Sequence, residues 1–308
     1  MKYTIEADWH LLDTCNYRCP YCFFGPATLG TKLRTFSDPK GWSSAFEASG
    51  SIWLLHMTGG EPSIYPNFVE LCEQLTVRQF ISVNSNLTHA SLADFSKRID
   101  PSRVSFINAG LHIEERELRN GYTAFLRNAD ILRARGFPLL VSLVATPSAL
   151  ARFDDAIALL APIGLFPIPK LFRGTAHGKT YPHAYSLAEK QQFKMLAARA
   201  KDFYRADLLG REEPASIDLL NDDLFLDGLP SYQGALCSAG ERFVQILPNG
   251  DVYRCGGTHP QGNVLARTFK RRAAPAPCDT QHCYYFCNKY SDANPLLGAK
   301  MIAPHAAN

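Results

Sequence analysis

Six short apolar runs, separated by segments of helical spacing, constrain this chain more than any other feature. They cover residues 7–13, 52–57, 80–84, 104–108, 139–145 and 165–171. The second, Ile52-Trp53-Leu54-Leu55-His56-Met57, is nearly all apolar, as a parallel strand buried on both faces must be. Between the runs lie helical patterns. In the clearest, Tyr122, Phe125, Leu126, Ala129 and Leu132 recur at helical spacing and Gly136 closes the segment. Another opens on Ser186-Leu187-Ala188-Glu189, a capping-box sequence, and continues through Phe193 and Leu196. Six strands alternating with helices imply an α/β fold, a parallel sheet curled into an incomplete (β/α)6 barrel over residues 1–206. A full barrel needs eight such units, and in this architecture chemistry sits at the C-terminal ends of the strands.

Chemistry-bearing residues fall where that rule puts them. Directly after the first run comes Cys15-Asn16-Tyr17-Arg18-Cys19-Pro20-Tyr21-Cys22. Thiols spaced C-x3-C-x2-C on one loop are able to hold three corners of a [4Fe–4S] cluster and leave the fourth iron open for a ligand. A zinc loop lacking its fourth ligand, or three structural thiols, are the plainer readings of that spacing. After the second run stands Met57-Thr58-Gly59-Gly60-Glu61-Pro62. Paired glycines allow close backbone approach, and Glu61 supplies an acceptor for an ammonium group. An ordinary strand-to-helix turn accounts for the same residues.

Composition narrows the field. With 308 residues, 46% of them hydrophobic, the chain is long enough for one large domain and a small appendage. The N-terminus lacks a charged region followed by an apolar one, and no run approaches the ~20 apolar residues that span a bilayer. Cytoplasmic residence is expected, with no membrane partner. A net charge of +3 is too weak to argue for nucleic acid, and Lys270-Arg271-Arg272 reads as a solvated turn. Nine cysteines without a secretion signal point to metal or redox chemistry, and all but Cys72 fall into two sets.

The triad Cys15, Cys19 and Cys22, with aromatic Tyr21 before the third thiol and Gly59-Gly60-Glu61 one strand later, resembles the signatures of the radical S-adenosylmethionine (SAM) enzymes. The resemblance implies that the three cysteines hold a [4Fe–4S] cluster whose open iron is chelated by SAM. An electron from the cluster then cleaves SAM to a 5′-deoxyadenosyl radical. It implies that Tyr21 packs near the adenine and that Gly59, Gly60 and Glu61 hold the methionine amino group. Ser85-Asn86-Leu87-Thr88 is similar to the family's Thr-Asn-Gly turn but lacks its glycine, which leaves Asn86 as a SAM contact. Gly110 stands where relatives show serine, so Asn108 takes the polar place. Ser142 and Lys170, with Arg173, project from the same rim, and His112 is expected to be a turn histidine satisfied by solvent, with contact to substrate as the alternative.

Residues 207–230 are polar and broken and read as a connection to a second unit, 231–308. There Arg242-Phe243-Val244-Gln245-Ile246-Leu247 and Val252-Tyr253-Arg254 flank Asn249-Gly250, the strongest hairpin signal in the chain. The hairpin returns Cys255 toward Cys237, where Cys278, Cys283 and Cys287 meet them. This segment resembles the SPASM and twitch domains of radical SAM enzymes, which hold auxiliary [4Fe–4S] clusters. A zinc site is the alternative. Five thiols exceed the four a cubane takes. Cys237, Cys255 and Cys287 are expected as ligands with Cys278 or Cys283 as the fourth. The spare thiol would be either merely buried or a hydrogen-atom donor to a substrate radical, making the reaction an epimerisation; with none spare, a dehydrogenation is expected.

The resemblance also implies an external one-electron donor such as flavodoxin or ferredoxin. The first run begins almost at the first residue, which tilts the substrate expectation away from peptide relatives with a leader-binding domain. A small molecule such as a sugar, cyclitol or other secondary-metabolite scaffold is expected, with a ribosomally made peptide as the alternative. A non-catalytic zinc scaffold is the rival of another class.

Overall fold

The computed structural model describes residues 1–22, 24, 29, 37–208, 217–228, 230–256, 258–283 and 286–294. The expected strands are all present: β1 (Ile5–Leu12), β2 (Trp53–Gly59), β3 (Phe80–Ser85), β4 (Val104–Gly110), β5 (Leu139–Val144) and β6 (Pro167–Lys170). They pair in parallel in chain order. Helices α1 (Pro39–Ala48), α2 (Phe68–Thr76), α3 (Ser91–Arg98), α4 (Ile113–Arg119), α5 (Tyr122–Ala134), α6 (Pro147–Ala151) and α7 (Phe153–Leu160) fill the crossovers. A small hairpin, β7 (Gly174–Ala176) and β8 (Lys179–Tyr181), leads into α8 (Leu187–Leu208). Its capping box closes as the sequence requires. Glu189 Oε2 accepts from Ser186 N at 2.7 Å, and Ser186 Oγ accepts from Glu189 N at 3.2 Å. Among the described residues no helix is long and apolar enough to cross a membrane.

Strand alternation sorts β1 onto two faces. Ile5, Ala7, Trp9 and Leu11 enter the main apolar core, where the Trp9 and Trp42 rings meet edge-on at 4.7 Å. The opposite face carries Leu54, Phe106, Leu140 and Ile168 of β2, β4, β5 and β6. These pack against Tyr204 of α8 and Leu219 and Leu220 of α9 (Ile217–Leu220). Cys72 is buried in α2 with its sulfur 4.0 Å from that of Met57, a packing role.

The C-terminal hairpin forms at Asn249-Gly250 as expected, with β10 (Phe243–Ile246) antiparallel to β11 (Asp251–Cys255). It does more than found a separate unit. β10 pairs in parallel with β1, from Glu6 opposite Phe243 to Trp9 opposite Ile246, and β12 (Thr258–Asn263) closes a nine-stranded sheet. Beyond it β9 (Leu236–Cys237) pairs with β13 (Ala276–Pro277). Of the connection, residues 209–216, including Arg211-Glu212-Glu213-Pro214, lie outside the described residues.

A buried ion pair fastens the two parts. Lys289 Nζ lies 2.7 Å from Glu6 Oε2, with both side chains sealed from solvent. His56 and the Tyr3 hydroxyl also reach the carboxylate. Burial pushes the Glu6 pKa up, but Lys289 and His56 outweigh it and hold it far below its ordinary value. Stability from this pair is therefore full above the unfolded carboxyl's pKa and is lost as pH falls through the folded one. Lys289→Met strands the carboxylate, and urea unfolding should show a loss of about 3–5 kcal/mol at pH 7. The stranded acid's pKa is raised, so the penalty should shrink toward pH ~5; an equal penalty at both pH values would refute the pairing.

Candidate active site

The loop after β1 is positioned by the loop after β2. Gly60 N donates to Leu12 O at 2.7 Å and Glu61 N to Thr14 O at 2.9 Å. Side chains cannot be fitted there. A Cβ on Gly59, whose φ is +115°, would stand 2.2 Å from Leu12 O, and one on Gly60 1.9 Å from Thr14 O. The paired glycines are thus required first by the chain's own backbone.

Glu61 is buried and its carboxylate accepts four hydrogen bonds, three of them on one oxygen. Oε1 accepts from Ser63 N, Ser63 Oγ and Ser85 Oγ at 3.1, 2.6 and 2.6 Å, and Oε2 accepts from Asn86 N at 2.7 Å. It knots the loops after β2 and β3. Asn86 passes the tie onward, its Nδ2 donating to Asn16 Oδ1 of the cysteine loop at 2.7 Å. Asn16 in turn donates to Thr88 Oγ1 at 2.8 Å.

Arg116, on α4, is the residue that sequence reasoning missed. It is fully buried. Its guanidinium donates to Leu111 O at 2.5 Å, Asn86 O at 2.6 Å and Gly110 O at 2.7 Å, and reaches the Tyr17 hydroxyl at 3.3 Å. Phe125 lies beneath it at 4.0 Å. Burial lowers its pKa to about 10, so it remains a cation at neutral pH. In the sequence it sits in Glu114-Glu115-Arg116-Glu117, which reads as an exposed helix face.

These ties surround a cavity of about 340 Å³ at the C-terminal ends of the strands. Cys15, Cys19, Cys22, Tyr21, Gly59, Gly60, Glu61, Asn86, Asn108 and Ser142 all line it. Two expectations are corrected. Lys170 is absent from the lining, because its ammonium lies 3.0 Å from the buried carboxylate of Asp222, which Arg173 also approaches at 3.7 Å. His112 is not left to solvent. It lines the cavity, stacks on Tyr21 at 6.0 Å and bonds that hydroxyl through Nδ1 at 3.1 Å. Burial, with help from Arg116, lowers its pKa to about 3, so the ring is neutral. A Cβ at Gly110 would meet His112 Nε2 at 2.3 Å, which accounts for glycine there.

The residues present fit an iron–sulfur cluster and a polar organic ligand. Burial raises the Cys15 thiol to about 11, the Cys19 thiol to about 12 and the Cys22 thiol as well. Such thiols become ligands opposite a cation. Asn108 Oδ1, which is buried, has no hydrogen-bond partner among the described residues, although Nδ2 donates to Asn84 at 2.8 Å. It is an acceptor awaiting a donor in the cavity wall. Among the described residues no three His, Cys, Asp or Glu side chains stand at the spacing that holds one metal ion. The ligands of a cubane each sit on their own iron and have no need of that spacing.

All five C-terminal cysteines line a second cavity of about 240 Å³. Cys283 and Cys287 sulfurs are 3.6 Å apart, and Cys278 lies 3.3 Å from Thr280 Oγ1. None of the five lines the first cavity. Register explains the separation. Tyr253 pairs with Gln245 and Gln245 with Asp8, so Cys255 and Lys289 lie near the start of β1, while Cys15 follows its end. The six steps from Glu6 to Leu12 span roughly 20 Å.

Residues 9–159 match the Radical SAM superfamily. The chain carries a Radical SAM domain over those residues. The cofactors of that family are a [4Fe–4S] cluster and SAM. Among curated proteins it is similar to PqqA peptide cyclase of Gluconobacter oxydans (strain 621H), with 26% identity over 258 residues, 80% of this chain and 68% of that one. The PqqA peptide cyclase of Ruegeria pomeroyi is 26% identical over 257 residues, 80% of this chain and 66% of that one. The chain thus spans about two thirds of these relatives. Among solved structures, native anSMEcpe with bound AdoMet and Cp18Cys peptide has a TM-score of 0.56 at 15% identity, over 87% of this chain and 80% of that one. Streptococcus suis SuiB bound to precursor peptide SuiA has a TM-score of 0.55 at 13% identity, over 88% and 65%. These structures share the partial-barrel fold.

Arg116→Lys keeps the charge but gives up the planar fork. Loss of two or more buried carbonyl bonds should cost about 2–4 kcal/mol in urea unfolding. SAM binding, followed by equilibrium dialysis, should weaken at least ~10-fold, since 1.4 kcal/mol is tenfold. Unchanged SAM binding would show that Arg116 does not shape the cavity.

Proposed function

We propose that the first cavity is a SAM site in which Cys15, Cys19 and Cys22 hold the cluster. When bound, cluster and SAM supply a 5′-deoxyadenosyl radical that takes a hydrogen atom from substrate. The protein's part is to place and shield. The Gly59–Gly60 backbone is presented to the methionine end, and Glu61 fixes that loop's shape, since its oxygens already accept four bonds. Tyr21, braced by His112, walls the adenine side. Asn86, Asn108 and Ser142 form the polar wall, with the partnerless Asn108 Oδ1 as acceptor. Lys170 has no place in this assignment. Four of the five cysteines of the second cavity hold an auxiliary [4Fe–4S] cluster in a twitch-like unit over residues 231–308, and an external one-electron carrier serves the enzyme.

For the substrate, the comparisons favour a ribosomally made peptide over the small molecule expected from the sequence. The observation that carries this is the similarity to PqqA peptide cyclases over 80% of the chain. The SuiB structure with its precursor peptide is consistent with it. Placement of Cys278 and Cys283 at the far end of β1 counts against a thiol quenching a substrate radical in the first cavity, and so against epimerisation. A dehydrogenative bond-forming step on the peptide fits better.

Anaerobic reconstitution should load about eight irons per chain, and reduction with SAM should release 5′-deoxyadenosine. The Cys15→Ala/Cys19→Ala/Cys22→Ala variant should keep about four irons and release none. A peptide product lighter by two hydrogens supports bond formation, whereas unchanged mass with solvent deuterium at a Cα would restore epimerisation. About four irons and one zinc in the wild type would assign the second cavity to zinc.

A further inference from the structure

The basic run Lys270-Arg271-Arg272 takes on a meaning in the fold that the sequence did not give it. Lys270 and Arg272 join Arg254, Arg267 and His259 around a groove of about 750 Å³. No Asp or Glu lines it. Among the described residues no carboxylate pairs with Arg267, Lys270 or Arg272, and all three are exposed. His259 is paired with the carboxylate of Asp279. Residues 231–280 hold six Lys and Arg against three Asp and Glu, a surplus equal to that of the whole chain.

The groove shares a wall with the second cavity and none with the first. Arg254 lines both the groove and the five-cysteine cavity. It is buried, with its fork fixed on Ala239 O, Pro277 O and Ala276 O at 3.2, 2.9 and 2.8 Å. Thr258 of β12 lines the cysteine cavity, and the next residue, His259, lines the groove. The groove is no template for an added strand, because Lys270 N already donates to Gln261 O at 2.8 Å and Pro260 has no amide hydrogen.

We propose that this groove docks an acidic one-electron carrier protein, of the flavin or iron–sulfur kind, beside the five-cysteine site. One electron leaves the reduced carrier and is accepted in that site, with no bond made or broken. This rests on the auxiliary-cluster reading above. An acidic substrate peptide would answer the same charge, but it must deliver its reacting carbon to the first cavity, with which the groove shares no residue. Carrier encounters are small and charge-dominated, which suits a polar groove without apolar anchors.

The test is titration of the reconstituted holoprotein with oxidised flavodoxin and, separately, a bacterial ferredoxin, at low salt and at about 0.3 M salt. At least one carrier should bind, ~10-fold or more weakly at high salt. Arg267→Glu/Lys270→Glu/Arg272→Glu should weaken low-salt binding ~10-fold or more and slow bleaching of the iron–sulfur absorbance by reduced carrier equally, because charge steers the encounter. Bleaching by reduced methyl viologen, a small cationic donor, should not slow. Arg267→Lys/Arg272→Lys should behave as wild type. Binding of neither carrier, or an unchanged salt dependence in the reversal variant, overturns the proposal. So does a variant that loses peptide turnover while carrier binding is kept. Retained charge-dependent binding with only about four irons per chain would leave the docking surface standing and overturn the auxiliary cluster instead.

Discussion

The buried guanidinium of Arg116 holds the site together. It joins the loop after β3 through Asn86 O, the loop after β4 through Gly110 O and Leu111 O, and the cysteine loop through Tyr17. Burying a cation is costly unless its protons are satisfied, and here backbone carbonyls, whose own positions are fixed by parallel strands, satisfy it. No carboxylate is needed. Glu61 favours the charged form through space without a direct ion pair, and the cation stands close to the cysteine loop. A lysine could neutralise itself by losing a proton, whereas arginine keeps its charge even after burial lowers its pKa to about 10.

Glu61 and the glycines before it divide the labour differently from a reading of the motif alone. Gly59 and Gly60 are small because Leu12 O and Thr14 O occupy the space a Cβ would need. Their closeness sets the separation between the cysteine loop and the second-strand loop, and hence the width of the cavity. Glu61 accepts from Ser63, Ser85 and Asn86, three bonds on Oε1 and one on Oε2. A motif that suggests ligand contact is here, in the first place, a device that locks two catalytic-end loops to each other.

What was legible followed from local rules. Apolar runs became strands because parallel strands are buried on both faces, and the Ser186 box and Asn249-Gly250 turn act within a few residues of themselves. What was hidden depends on partners distant in sequence. Arg116 looks solvated among glutamates, and Lys170 looked available until Asp222, on the far side of α8, claimed it. Glu6 and Lys289 are 283 positions apart and nothing local marks either as buried. The same holds for β10, whose parallel pairing with β1 is set by the edge that β1 leaves open.

That pairing decides how the two cysteine sets relate. β1 carries β2 on one side, with the Gly59–Glu61 loop, and β10 on the other, with the hairpin that ends at Cys255. Because β10 runs parallel to β1, β11 must return toward the start of β1, and the second set is placed at the opposite end of the strand from the first. The Glu6–Lys289 pair pins it there. A thiol at that end is roughly 20 Å along the strand from the loop that follows Leu12, too far for hydrogen-atom transfer by contact. Whatever passes between the sites must be an electron or a conformational change, and the basic groove beside Arg254 lies where a carrier reaches the far site without obstructing the near one.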